Sequence, residues 1–226
     1  MFWSGCRRPS RAAELRRGNN PGTFESGGIA CCVIHGLAGM GKTQTALEYT
    51  YRYESRYDAI FWIRSETQAE LSACYAAVAC KLGLQESNSP AAADSDRNIE
   101  VARDWLGRTR KRWLLVFDNV EQIDDVLRFI PASHAATHGA IIITAQAPDI
   151  QPVASIFQRI ELTSPDVADS VRIRFNCLER EARDPEEASE AVEIASIVGG
   201  LPLAMATIGG CMCVANTTIS EVLKTT

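Results

Sequence analysis

The sequence predicts an α/β fold, a parallel sheet of five strands flanked by helices, followed by a small all-α unit. Three observations carry this. Ile29-Ala30-Cys31-Cys32-Val33-Ile34 is an unbroken apolar run that stops at a glycine loop, as a strand buried on both faces of a parallel sheet does. Four further strand-like segments follow, with helix-period segments between them, the pattern of a sheet covered on both sides. From Ser164 onward the spacing is helical only. The expected boundaries are a basic tail and linker over 1–27, a nucleotide-binding domain over 28–163 and a helical unit over 164–226.

The elements follow in order. A helix runs from Lys42 to about Glu54, then a strand from Ala59 to Ile63. Thr67 and Glu70 form a T-x-x-E capping box opening a helix whose Leu71, Tyr75, Val78 and Leu82 share a face, with Gly83 as its stop. A polar loop from Ser87 to Asp96 leads to a helix carrying Ile99, Ala102 and Leu106, with Gly107 expected to end it. Trp113–Phe117 and Ala140–Thr144 are the third and fourth strands, and Phe157–Leu162 the fifth. In the helical unit Ser164-Pro165 reads as a cap with Pro at the first helical position, placing Val167, Val171, Phe175 and Leu178 on one face. Asp184-Pro185-Glu186-Glu187 repeats that start signal, and its helix stops at Gly199-Gly200; further helices begin near Pro202 and Thr218.

Bulk composition narrows the function classes. No apolar stretch approaches the roughly 20 residues that span a bilayer. A net charge of −5 gives no global electrostatic case for nucleic-acid binding. Of the eight cysteines, Cys31, Cys32, Cys74 and Cys80 lie in apolar runs, and no C-x-x-C pair exists. A reduced, cytoplasmic protein fits this usage. Arg7, Arg8, Arg11, Arg16 and Arg17 face only Glu14 in the first seventeen residues, the composition of a solvated basic tail or of an organelle presequence.

Chemistry concentrates at Gly36-Leu37-Ala38-Gly39-Met40-Gly41-Lys42-Thr43. Its glycines let consecutive N–H groups converge on an anion, and the following helix turns its positive end toward the same point. Lys42 would contact the β- and γ-phosphates, and the Thr43 hydroxyl would ligate Mg²⁺. Asp118 closes the apolar strand Trp113–Phe117, where a carboxylate holds the same Mg²⁺ through water. An efficient ATPase commonly has Glu at the next position; Asn119 cannot accept a proton, Glu121 is the nearby candidate to replace it, and rapid hydrolysis is not expected. No N-K-x-D segment for guanine exists, which favours adenine.

Together with Gln44, with Tyr57–Ile63, Trp113–Val120 and Gly139–Thr144, and with Gly200-Leu201-Pro202-Leu203-Ala204, this loop resembles the NB-ARC domain of the STAND P-loop NTPases, in particular its fungal NLR-like branch. The resemblance covers roughly residues 28 to 210. It implies the sheet order 5-1-4-3-2, a first helical ARC subdomain, and Pro202 packed on adenine. It also implies an ADP-closed, ATP-opened switch with self-association or NLR-type protein partners, serving signal transduction and innate immunity.

Three departures qualify it. The upstream Gly-Arg segment of the family is echoed only by Gly5-Cys6-Arg7-Arg8 and Glu14-Leu15. Where the family has a basic γ-phosphate sensor, this chain has Ala145-Gln146, and glutamine cannot neutralise charge. The sequence ends at Thr226, before the family's winged-helix part, so a fragment or shortened gene product is expected. The expected site is then Gly36, Gly39, Met40, Gly41, Lys42, Thr43, Gln44, Gln146 and Pro202 for the nucleotide. Lys42 and Asp118 would serve any hydrolysis, with Thr43 and Asp118 for Mg²⁺. The leading reading is a module that binds ADP or ATP with slow or no hydrolysis. A genuine ATPase enzyme and a degenerate, non-binding scaffold are the alternatives.

Overall fold

The computed structural model of the chain describes residues 28–84, 95–132, 134, 137–147, 156–177, 181–215 and 217–223. The Arg-rich start, most of the Ser87–Asp96 loop and Leu178 lie outside the described residues. The described residues divide into two compact units. One comprises 28–36 and Lys42–Glu161, the other Leu37–Gly41 and the chain from Leu162 onward.

The first unit is the sheet. In chain order it comprises β1 (Gly28–His35), α1 (Lys42–Arg52), β2 (Ala59–Arg64), α2 (Gln68–Lys81), α3 (Ser95–Arg108), β3 (Arg112–Val120), α4 (Ile123–Leu127), β4 (His138–Ala145) and β5 (Ile156–Glu161). A 3₁₀ turn, Glu54–Arg56, follows α1, so the helix stops two residues short of the expected end. The strands are ordered β2-β3-β4-β1-β5 and every pairing is parallel, the predicted order read from the other edge. The three central strands are almost wholly buried, which is why they read as continuous apolar runs rather than alternating ones.

Trp113 anchors one end of this core. Its ring lies over Gly139, its register partner on β4, where any β-carbon would come within 2.2 Å of it. Its indole N–H donates to the Leu106 carbonyl at 2.9 Å. Gly107, expected to end α3, instead lies inside it. What that position needs is room and an open carbonyl: a β-carbon would approach the Ala132 carbonyl at 3.1 Å, and the Gly107 carbonyl accepts from Thr137 Oγ1 at 2.7 Å. Thr67 caps α2 as its capping box predicts, its Oγ1 accepting from Glu70 N at 3.2 Å, and Gly83 follows that helix at φ 70°. The thiols of Cys31 and Cys32 are core hydrophobes; burial pushes both above the usual range, Cys32 to about 12.

The second unit is helical: α5 (Val167–Cys177), α6 (Pro185–Ile197), α7 (Pro202–Ala215) and α8 (Ile219–Leu223). Its core gathers Ile173, Phe175, Ala191, Ile194, Met205, Met212 and Ile219. Asp184 caps α6 through Glu187 N at 2.8 Å, and Thr218 with Glu221 forms a reciprocal box at α8. At α5 the start signal is Asp166, not Ser164: Asp166 Oδ1 accepts from Asp169 N at 2.7 Å, and the helix begins at Val167. Val167 in the first turn is therefore exposed, whereas Phe175 is buried and Val171 packs against the core as expected, with Ser170 and Ile173 buried beside them. Gly200 sits at φ 68°, with Ser170 Oγ and the Pro165 carbonyl 3.0 and 3.2 Å from where a β-carbon would stand.

Candidate functional site

The carboxyl ends of parallel strands meet the start of α1, so the sheet brings residues distant in sequence to one edge. The glycine loop after β1 requires its glycines individually. Gly36, Gly39 and Gly41 take φ 141°, 77° and 87°, backbone that side-chain-bearing residues seldom adopt. Within the helical unit, Leu203 N–H donates to the Gly39 carbonyl at 3.1 Å, so the first turn of α7, which begins at Pro202, meets the loop. A β-carbon on Gly39 would also come within 3.0 Å of Leu203. Met40 is buried, its sulfur 4.0 Å from Ser164 Oγ.

Lys42 opens α1, and its ammonium donates to the Gly36 carbonyl at 2.9 Å. It is buried, and that burial lowers its pKa below the ordinary lysine value, opposed by the negative charge of Asp118. One position on, exposed Thr43 Oγ1 donates to Asp118 Oδ1 at 2.8 Å. The same oxygen accepts from Thr144 Oγ1 at 2.6 Å. Lys42, Thr43 and Asp118, picked out by motif, are thus brought together from α1 and β3. Gln44 is exposed on α1, and Gln146 is exposed just beyond β4.

Two residues that sequence reasoning passed over complete the edge. Thr144, the first polar residue after the β4 apolar run, is fully buried and links Asp118 to the backbone N–H of Asn119, 2.9 Å away. The apolar-to-polar change at Thr144 was the available signal. The other is Glu66, two residues past β2, whose Oε1 accepts from Asn119 Nδ2 at 3.0 Å. Nothing in its spacing marks it. Asn119 takes φ 61° where the β3–β4 register shifts, a left-handed conformation that Asn tolerates better than most residues. Ser65 N–H donates to the Asp118 carbonyl at 2.9 Å, keeping the end of β2 beside the end of β3.

The donor set fits a nucleotide phosphate with Mg²⁺. Left-handed glycines free the loop amides for an anion, Lys42 supplies positive charge, and Thr43 with Asp118 offers the hard oxygens that Mg²⁺ prefers. Among the described residues no helix is long and apolar enough to cross a membrane.

Comparisons with known proteins bear on the fold and the family. Solved structures share the fold at 13–17% identity. They include Drosophila ORC bound to DNA (TM-score 0.61, 99% of this chain and 61% of that one). The ORC1 protein of Aeropyrum pernix in complex with DNA has TM-score 0.59, covering 91% of this chain and 60% of that one at 17% identity. A STAND protein with a tetratricopeptide repeat sensor from Pyrococcus horikoshii has TM-score 0.50, at 91% and 30% coverage. Two probable disease resistance proteins of Arabidopsis thaliana are 24% and 25% identical over 82% and 79% of this chain. The chain spans only 20% and 24% of their lengths. The NB-ARC domain model matches residues 22–169, which takes in the glycine loop, Lys42, Thr43, Asp118 and Thr144. With the order of the sheet and the grouping of those side chains at its edge, that match makes the chain a member of the NB-ARC domain family of P-loop NTPases.

Proposed function

We propose that this chain is the adenine-nucleotide module of a disease-resistance-like signalling switch, holding ADP or ATP with Mg²⁺ and turning ATP over slowly or not at all. The observation that carries the reading is the convergence of Lys42, Thr43 and Asp118 beside a loop of left-handed glycines. Gly36, Gly39, Met40, Gly41 and Gln44 would follow the phosphates, and Pro202 would pack on the base. Lys42 serves the phosphates as a fixed cation, while Mg²⁺ held by Thr43 and Asp118 would neutralise their charge. Asn119 offers no proton acceptor and Gln146 no positive charge, which supports ADP over ATP and slow turnover. NLR-type protein partners or self-association, a cytoplasmic location and an innate-immune role are part of this proposal, which the likeness to plant disease resistance proteins supports. Net charge supports no nucleic-acid partner, although two structural neighbours were solved with DNA.

The test is direct. Purified protein, denatured and assayed for released nucleotide, should yield ADP or ATP. Empty protein that also binds neither nucleotide in calorimetry with Mg²⁺ overturns the proposal in favour of a non-binding scaffold. Phosphate release faster than about 1 s⁻¹ marks a true ATPase instead.

A further inference from the structure

The position after Asp118 carries an amide, and an amide cannot take a proton from water. The structure puts a carboxylate within reach of that amide from the segment that follows β2. Asn119 Nδ2 donates to Glu66 Oε1 at 3.0 Å, so the side chain standing where a base is expected instead holds one. The link continues into the phosphate site. Asn119 N–H is bound to Thr144 Oγ1, Thr144 to Asp118, and Asp118 to Thr43 at the start of α1. Glu66 is therefore the far end of one hydrogen-bonded row running along the carboxyl edge of β2, β3 and β4.

Two details favour a role for Glu66 beyond a surface contact. Glu66 is exposed, and among the described residues no cation lies within ion-pair distance of it. Asn119 accepts a left-handed backbone at φ 61° where the register shifts, and that turn accompanies an amide bonded to β2's end. Glu121, the other nearby carboxylate, lies beyond the register shift and is not the partner that Asn119 holds.

We propose that Glu66, oriented by Asn119, is the carboxylate that positions and deprotonates the water attacking the terminal phosphate. This rests on the nucleotide reading above. The water oxygen bonds to the γ-phosphorus as the bond from that phosphorus to the β–γ bridging oxygen breaks. Glu66 takes the water proton, ADP keeps the electron pair of the broken bond, and inorganic phosphate leaves. Reaching for water across a neighbouring strand is a looser arrangement than a carboxylate next to Asp118, which fits slow turnover. Glu66 is the catalytic residue and Asn119 a positioning residue.

The experiment compares wild type, Glu66→Gln and Asn119→Gly, the last chosen because glycine keeps the left-handed turn while removing the amide. Two quantities are read: single-turnover phosphate release from ATP, and the affinity for ADP with aluminium fluoride relative to ADP alone. The proposal expects Glu66→Gln to slow release about a hundredfold. The same variant should lose the extra affinity for the aluminium fluoride complex while binding ADP as wild type does. Asn119→Gly should move both readouts the same way by a smaller factor. Wild-type release and an unchanged aluminium fluoride preference in Glu66→Gln overturn the proposal, as does a wild type that binds ATP but releases no phosphate. A wild type that binds neither nucleotide overturns the nucleotide reading itself, and this proposal with it.

Discussion

The two halves of the site differ in what they keep. The glycine loop and the start of α1 hold three glycines at positive φ, a buried lysine and a threonine bonded to Asp118, the groups that the proposed phosphate binding would use. The ends of β3 and β4 hold Asp118 but follow it with Asn119, and follow Ala145 with an exposed Gln146. On the function proposed above, the first half would grip a nucleotide and the second would be poorly equipped to tell three phosphates from two. The lesson is physical. Gripping uses backbone amides and one cation, whereas discriminating a terminal phosphate needs charge placed at its far end.

Substitutions can break that contrast. The largest effect is expected from Lys42→Ala, which removes the only full charge in the gripping half. ADP and ATP affinity should both fall about a hundredfold in calorimetry. Unchanged affinity would show that the loop does not bind phosphate. Asp118→Asn comes next. It removes one metal-facing charge, so the gain in affinity on adding Mg²⁺ should shrink about tenfold, while binding in chelator changes little. If Mg²⁺ helps the variant as much as wild type, Asp118 is not a metal ligand.

Gln146→Arg sharpens the contrast rather than breaking it. A charge-assisted bond contributes about 1.5–3 kcal/mol against roughly 1 for a neutral one, so the ATP-to-ADP affinity ratio should rise about fivefold. A constant ratio would mean that this position does not sense the terminal phosphate.

The smallest effect lies away from the site, at the opposite end of β3. Asp58 accepts from Arg112 N at 2.8 Å, and that bond, with help from the Arg112 guanidinium, holds its carboxyl below the ordinary carboxylate value. A lowered folded pKa gives stability that is present above the ordinary value and lost as pH falls through the folded one. In thermal melts, Asp58→Asn should therefore sit slightly below wild type at neutral pH, the gap closing toward pH 3. Its nucleotide affinity should match wild type. A gap that widens in acid would assign the Asp58 contact no role in the pH dependence.

Much of this was legible in sequence because it is local. A capping box such as Thr67–Glu70, or a strand such as Ile29–Ile34, announces itself over a few residues. So does the loop Gly36–Thr43, since each glycine there answers a backbone requirement of its own position. Less legible were elements whose signal competes with packing. Gly107 looks like a helix stop, yet tertiary contact explains it, since a β-carbon would crowd the Ala132 carbonyl. Ser164-Pro165 looks like a helix start, yet Asp166 supplies the cap.

The sequence alone determined the parallel sheet and its glycine loop and singled out Lys42, Thr43 and Asp118 as candidates, because periodicity and motif act over short stretches of chain. Only the tertiary structure decided that Thr144 joins Asp118 and that Asn119 reaches Glu66, a residue 53 positions earlier. Those partners meet because parallel pairing brings the ends of β2, β3 and β4 side by side, and distances across a sheet leave no trace in the spacing of residues along the chain.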